Sequence, residues 1–252
     1  MAIIRDQAVV LGRVDYSETS QVLVFFTREH GKVRAIAKGI KRGTKKRFAV
    51  GADLLDAGYL CVSSRQERGA GLATVTEWKQ GRPHSGFRES LSRIHAGQYV
   101  AEITVNLTED WDAHAQLFDA LARTLADLSE ASQTLPFVLR YQYLLLEASG
   151  SLPRLGACVL CGRDRELTFF SSFEGGMLCK HCEPGRVEKR EVSGAALERL
   201  RSLDAPVTET SSQEHADVGA FDVLDYHISH LMGRAPRMAG KLVSAERRRL
   251  LG

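Results

Sequence analysis

The 252-residue sequence predicts two kinds of structure in one multidomain chain: a small all-β barrel at the N-terminus, then an α-helical bundle interrupted by a four-cysteine hairpin. Three observations predict it. The first 80 residues contain five short β-branched or aromatic runs separated by turn signals. After Gly81-Arg82-Pro83 the apolar residues recur at helical spacing. Four of the five cysteines then fall into two C-x2-C pairs.

Residues 8–16, 20–27, 31–38, 53–63 and 74–78 read as strands, with Glu29-His30-Gly31 as a hairpin turn. Five strands without a long helix are the count of a closed barrel such as an OB-fold, with a sandwich as the other arrangement. The run Val22-Leu23-Val24-Phe25-Phe26 suggests a strand buried on both faces. Cys61 and Tyr59, in an apolar run, are expected in the core, Cys61 as a small hydrophobe rather than a nucleophile.

Beyond the barrel, Leu91, Ile94, Ala101 and Val105 mark one helix, and Leu117, Leu121, Leu125 and Leu128 the next. A third begins near Pro136, carries Phe137, Leu144 and Leu145, and stops before Gly150. Ser193 is placed to cap a helix holding Leu197, Leu200 and Leu203, and a last helix includes Phe221, Leu224, Ile228 and Leu231. The expected domains are 1–80, the barrel; 81–157, the first helical part; 158–190, the cysteine hairpin; and 191–252, the last helical part.

Cys158-Val159-Leu160-Cys161 and Cys179-Lys180-His181-Cys182 stand seventeen residues apart. Each C-x2-C turn points two thiolates to one side of a loop, and two facing turns supply the four sulfurs of a tetrahedral Zn2+. Gly162 fits a position of positive φ after the second ligand. Arg163, Lys180 and His181 offset the charge of a centre that four thiolates leave negative. Residues 168–171 and 175–178 read as two strands that bring the second pair up to the first. Two disulfides or four unrelated core cysteines are the competing readings, and the absence of an export signal at the N-terminus argues against the disulfides. With four protein ligands and no open position, one zinc per chain is expected to be structural.

The net charge of +3 conceals an asymmetry. Residues 1–80 hold 14 Lys and Arg against 8 Asp and Glu, whereas the remainder is slightly acidic. The excess concentrates in residues 38–47, with six cations in ten positions, two glycines and no acid. A flexible basic loop leaving a barrel strand can follow a phosphate backbone, so Lys38, Lys41, Arg42, Lys45, Lys46 and Arg47 are expected to bind DNA. Arg34, on the same strand face as Lys38, extends the track, and Arg65 and Arg68 on a neighbouring loop are further candidates. Phe48 or Tyr59 is available for base stacking, although Tyr59 is better explained by core packing.

Motifs for catalysis are missing. Gly240-Lys241 has no phosphate loop around it, and the cysteine pairs lack the H-x-E segment of a zinc deaminase. Glu109, Asp110 and Asp112 around Trp111 fit a helix connection and the start of a helix, where acids offset the dipole. His227 and His230 lack a third ligand and are assigned to surface or core. No stretch is long and apolar enough for a membrane span, and a cytoplasmic, nucleoid-associated protein is expected.

The order of basic-looped barrel, helices and four-cysteine hairpin resembles the RecO family of bacterial recombination mediators. Val33-Arg34-Ala35-Ile36-Ala37-Lys38-Gly39, the basic run ending at Arg47-Phe48, and His230-Leu231-Met232-Gly233-Arg234 carry the likeness, which runs through nearly the whole chain. The resemblance implies an N-terminal OB-fold and no enzymatic activity. It further implies a RecF-pathway protein that binds single- and double-stranded DNA, anneals complementary strands, and works with RecR and single-stranded DNA-binding protein to load RecA. The four cysteines are not universal in that family, which suits a scaffold role for zinc. The tail, with Arg237-Met238-Ala239-Gly240-Lys241 and Arg247-Arg248-Arg249, departs from the family pattern. Two rival readings are a zinc-containing nuclease, recognised by Mg2+-dependent turnover of DNA, and an RNA-binding OB protein, recognised by preference for RNA at equal salt.

Overall fold

A computed structural model of the chain describes residues 2–40, 52–64, 71–81, 84–205 and 214–244. The chain divides into two compact units, Met1–Ala131 and Ser132–Gly252.

The first unit is built on a closed five-stranded barrel of β1 (Ala2–Asp15), β2 (Gln21–Thr27), β3 (Gly31–Ala37), β4 (Ala57–Ser64) and β5 (Ala73–Gln80), in the order β1-β2-β3-β5-β4. Only β3 and β5 pair in parallel, and β1 closes the barrel against β4; this is the strand order of an OB-fold. β1 starts six residues earlier than the sequence suggests because it serves two partners. Ala2 to Val9 pair with β4, and the stretch from Ala8 pairs with β2, with an irregularity between Val10 and Gly12. A β-bulge of this kind bends a strand so that it can close a barrel.

Period-two alternation sends Val10, Leu23, Phe25, Val33, Val62 and Trp78 into a common core. Gly31 ends the β2–β3 turn at φ +67, a conformation glycine adopts without steric cost. The expectation that β2 is buried on both faces holds at one end only. Phe26 is covered by Phe118, ring centroids 6.4 Å apart, whereas Val22 and Val24 remain partly exposed.

Among the described residues this unit also holds two α-helices, α1 (Leu91–Leu107), capped by the Ser90 hydroxyl, and α2 (Ala115–Glu130). Leu117, Leu121, Leu125 and Leu128 are buried as their spacing predicts. In α1 the buried face is a different one, formed by Ala96, Tyr99, Val100 and Ile103 beside Ala101. Leu91 is 68% exposed, and Ile94 and Val105 are half-buried. The error is one of phase: α1 is apolar on several faces, so the leucine spacing does not choose between them.

The second unit contains α3 (Leu135–Ala148), α4 (Gly194–Arg201) and α5 (Glu214–Met232), with a small antiparallel sheet of β6 (Leu167–Ser171), β7 (Gly176–Cys179) and β8 (Arg190–Glu191) in the order β7-β6-β8. Pro136 sits in the first turn of α3, and Gly150 follows its end at φ +67. The Ser193 hydroxyl caps α4 by accepting from the Ala196 N–H at 3.2 Å. Leu197, Leu200 and Leu203 are buried, but Leu231 near the end of α5 is 40% exposed. Arg199 of α4 donates to the buried carboxylate of Asp217 of α5 at 2.5 Å, tying the two helices together.

Candidate metal centre and nucleic-acid interface

The hairpin of β6 and β7 delivers the cysteines. Cys179 is the last residue of β7, and the turn after it closes with the Cys182 and Glu183 N–H groups on the Cys179 carbonyl at 2.9 and 3.1 Å. The other knuckle closes with the Gly162 N–H on the Cys158 carbonyl at 2.9 Å and the Cys158 N–H on the Arg163 carbonyl at 2.8 Å; Gly162 takes φ +74 as expected. Val159 N–H donates to Met177 O at 2.9 Å, fastening this knuckle to β7. The four Sγ atoms of Cys158, Cys161, Cys179 and Cys182 lie within 4.8 Å of one another, and Cys161 and Cys179 are 3.7 Å apart. The edge of a tetrahedron with metal–sulfur bonds of about 2.3 Å is about 3.8 Å, so this donor set fits a four-coordinate metal ion.

Two of the four sulfurs, those of Cys158 and Cys179, are shifted toward the thiolate. Burial disfavours the Cys158 anion, but backbone hydrogen bonds from Cys179, Cys161 and Leu160 outweigh it and bring the thiol down to about 6. Cys179 is lowered in the same way, its burial outweighed by hydrogen bonds from the His181 and Cys182 backbone. Cys182 is pushed up to about 12, chiefly by its hydrogen bond with Cys161 and then by burial. A cation among the four sulfurs would remove that competition for protons.

A polar clasp holds the hairpin turn. The Glu188 carboxylate accepts from Ser171 Oγ at 2.5 Å, from the Ser172 and Phe173 N–H groups at 3.1 and 3.0 Å, and from the Tyr226 hydroxyl of α5. Burial alone would raise its pKa, but these donors bring it below the usual carboxylate value. His227, one residue on, accepts from Ser172 Oγ at 2.7 Å through Nδ1 and donates from Nε2 to Ser151 O at 2.9 Å. It is a core histidine, edge-on to Phe170, whereas His230 is exposed.

On the barrel, Arg34 and Lys38 share the outer face of β3 and its extension, and both are exposed. Arg34 donates to Asp110 at 3.0 Å, which balances its charge locally. Lys41, Arg42, Lys45, Lys46 and Arg47 lie outside the described residues, as do Phe48, Arg65 and Arg68. The acids near Trp111 occupy the α1–α2 connection as expected, but not as dipole partners, since the first turn of α2 holds no acid. Asp110 instead pairs with Lys32 and Arg34, and Asp112 with His114.

Tyr59 and Cys61 require correction. Leu60 and Val62 fill the barrel, so their neighbours in β4 point outward. Tyr59 is 62% exposed and Cys61 half-buried, both lining an open cavity of about 700 Å³ with Arg5, Gln7, Glu77 and Lys79. Among the exposed apolar residues that the sequence reading did not single out are Val14 at 67% and Tyr16 at 68%. Counting alternation outward from the core residues of β2, through the β1–β2 register, would have found Val14.

Two family models match the chain: Recombination protein O N terminal over residues 1–84, and Recombination protein O C terminal over residues 88–239. The chain belongs to the RecO family. The boundary between the two RecO matches falls between β5 and α1. A DNA repair protein RecO of Rhodopirellula baltica is 34% identical over 200 residues, covering 78% of this chain and 73% of its own length. One from an Anaeromyxobacter species is 33% identical over 97% of this chain and 96% of its own. The protein of the same name from Bacillus pumilus is 28% identical over 79% and 76%. RecO membership assigns the chain a role in DNA repair and recombination. Among the described residues, no helix is long and apolar enough to cross a membrane.

Proposed function

We propose that this RecO-family chain is a non-enzymatic recombination mediator that binds single- and double-stranded DNA and anneals complementary strands. The observation that carries the reading is the position of Lys38. It stands exposed where β3 leaves a closed barrel, and it opens the ten-residue run of six cations and no acid. Two complementary strands repel each other through their phosphates. A protein that neutralises phosphates without reading base edges lowers that barrier and breaks no bond. Arg34, Lys41, Arg42, Lys45, Lys46 and Arg47, with Arg65 and Arg68, are the residues assigned to this contact.

The metal at Cys158, Cys161, Cys179 and Cys182 is Zn2+ in this reading, held by four thiolates with no open position for substrate. Its role is to pin the two knuckles and the β6–β7 hairpin. RecR and single-stranded DNA-binding protein are the proposed partners, with RecA loaded as the outcome, in the cytoplasm at the nucleoid.

The test is annealing of two complementary strands, one labelled, followed in real time at sub-saturating DNA. The native chain should accelerate duplex formation well above the protein-free rate, with no shortened products on addition of Mg2+. Failure to accelerate pairing would overturn the annealing reading, and Mg2+-dependent shortening would favour the nuclease.

A further inference from the structure

The four sulfurs of the metal centre differ in what can reach them. Cys158 and Cys179 are fully buried, Cys182 is half-buried, and Cys161 is exposed. The chain around Cys161 leaves it open, since every residue from Leu160 to Glu166 is exposed. A small solute therefore meets one sulfur before the others. A second sulfur stands directly behind it: the Sγ atoms of Cys161 and Cys179 are 3.7 Å apart, across the two knuckles and 18 positions along the chain.

The backbone holds this pair together without help from an ion. Cys179 stands opposite Leu167 in the β6–β7 ladder, and the Lys180 N–H donates to Glu166 O at 3.2 Å. The first knuckle is fastened to the same strand, with Val159 N–H on Met177 O and Met177 N–H on Arg154 O, both at 2.9 Å. An exposed thiolate with a second sulfur in contact behind it is the arrangement of a peroxide-reactive cysteine and its resolving partner.

We propose that Cys161 is a site of reversible oxidation by hydroperoxides and Cys179 its resolving partner, so that a disulfide between the knuckles takes the place of the metal. The assignment rests on the four-thiolate zinc reading. The Cys161 thiolate attacks a peroxide oxygen: an S–O bond forms, the O–O bond breaks, and the sulfur is oxidised to the sulfenic acid. The peroxide is reduced to water or an alcohol with a proton from solvent. The Cys179 thiolate then attacks that sulfur: an S–S bond forms, the S–O bond breaks, and hydroxide leaves as water with a second solvent proton. Two of the four ligands are then spent, the remaining pair cannot complete a tetrahedron, and the centre gives up its ion. The hairpin stays closed because the new bond joins the same two knuckles. A disulfide within either C-x2-C pair would leave them unconnected.

The test follows zinc and disulfides together in the full chain. Zinc content is measured first, then its release to a chromogenic chelator on addition of hydrogen peroxide, and the disulfide formed is located by mass spectrometry of unreduced peptides. The native chain should release zinc in step with a Cys161–Cys179 disulfide, and dithiothreitol with added Zn2+ should restore the metal. Cys161→His supplies a fourth ligand that zinc accepts and removes the exposed sulfur, so its release should be slower by about tenfold or more. Zinc that stays bound in peroxide, or a disulfide formed only within either C-x2-C pair, would overturn the proposal while leaving the zinc reading intact. So would release from Cys161→His at the native rate. If that variant loads no metal, the disulfide found in the native chain decides alone. Native protein without zinc would overturn the zinc reading and this proposal with it.

Discussion

The Lys32 ammonium lies 3.2 Å from the Asp110 carboxylate, although one residue is buried in a barrel strand and the other sits in a helix connection 78 positions away. The same Nζ donates to Val105 O at 2.8 Å and to Thr108 O, so one cation satisfies the orphan carbonyls at the end of α1 and the acid beyond it. Trp111 N–H donates back to Lys32 O at 2.9 Å. Lys32→Met keeps the stem and removes the charge. It should lower the urea midpoint by the equivalent of about 2–4 kcal/mol without changing the slope, because buried acceptors lose their donor. An unchanged midpoint would show that the ammonium contributes nothing net.

Gly31, next in the chain, is required twice. Its φ is +67, and a Cβ there would come within 1.7 Å of the Asp112 carbonyl oxygen, a backbone atom that cannot rotate away. Gly31→Ala should therefore cost about 3–5 kcal/mol, against about 1–2 kcal/mol for a glycine whose only demand is conformational. Thermal unfolding of Gly31→Ala beside Gly39→Ala, whose Cβ would meet nothing within 4 Å, separates the two costs.

The sequence made the barrel legible because alternation is a local signal: Leu23 and Phe25, or Ala35 and Ala37, announce an inward face, and Gly31 announces a turn. The knuckles were legible for a similar reason, since a C-x2-C spacing already fixes which way two sulfurs point. What the sequence hid depends on distant partners. Lys32 between Gly31 and Val33 reads as an outward strand lysine, and only the α1–α2 connection buries it. Tyr59 failed for the opposite reason: its apolar neighbours suggested burial, but nothing in the cavity on that face covers it.

His227 links stability to pH. Burial lowers its pKa from 6.5, its hydrogen bond to Ser151 O opposes the shift, and the folded state keeps the ring neutral. As pH falls below about 6.5 the unfolded chain takes up a proton that the folded chain does not. Stability from this residue is present above that value and declines toward the lower folded pKa, by at most about 1.4 kcal/mol per pH unit. Urea unfolding between pH 7.5 and 5 should show a smaller acid-side loss in His227→Gln than in the native chain; identical curves would contradict the linkage.

The four-cysteine centre predicts about one zinc per chain in freshly purified protein and near none in Cys179→Ser. Because the Cys179 sulfur joins the end of β7 to the other three sulfurs, the variant loses the pin between the two knuckles and should also unfold at lower urea. Metal analysis by mass spectrometry gives the content, and a native protein with no zinc would refute the assignment.

The central claim is that the basic run is a phosphate track, and binding of a labelled mixed-sequence single strand across a salt series tests it most directly. The comparison is between the native chain and one carrying Lys41→Glu, Arg42→Glu, Lys45→Glu and Lys46→Glu. Each phosphate neutralised on a single strand contributes about 0.7 to the slope of log affinity against log salt, so the native slope should lie near 3 to 5 and the variant should lose about 3 of it along with most of its affinity at low salt. Parallel lines of equal affinity would show that these cations face solvent alone and would contradict the account.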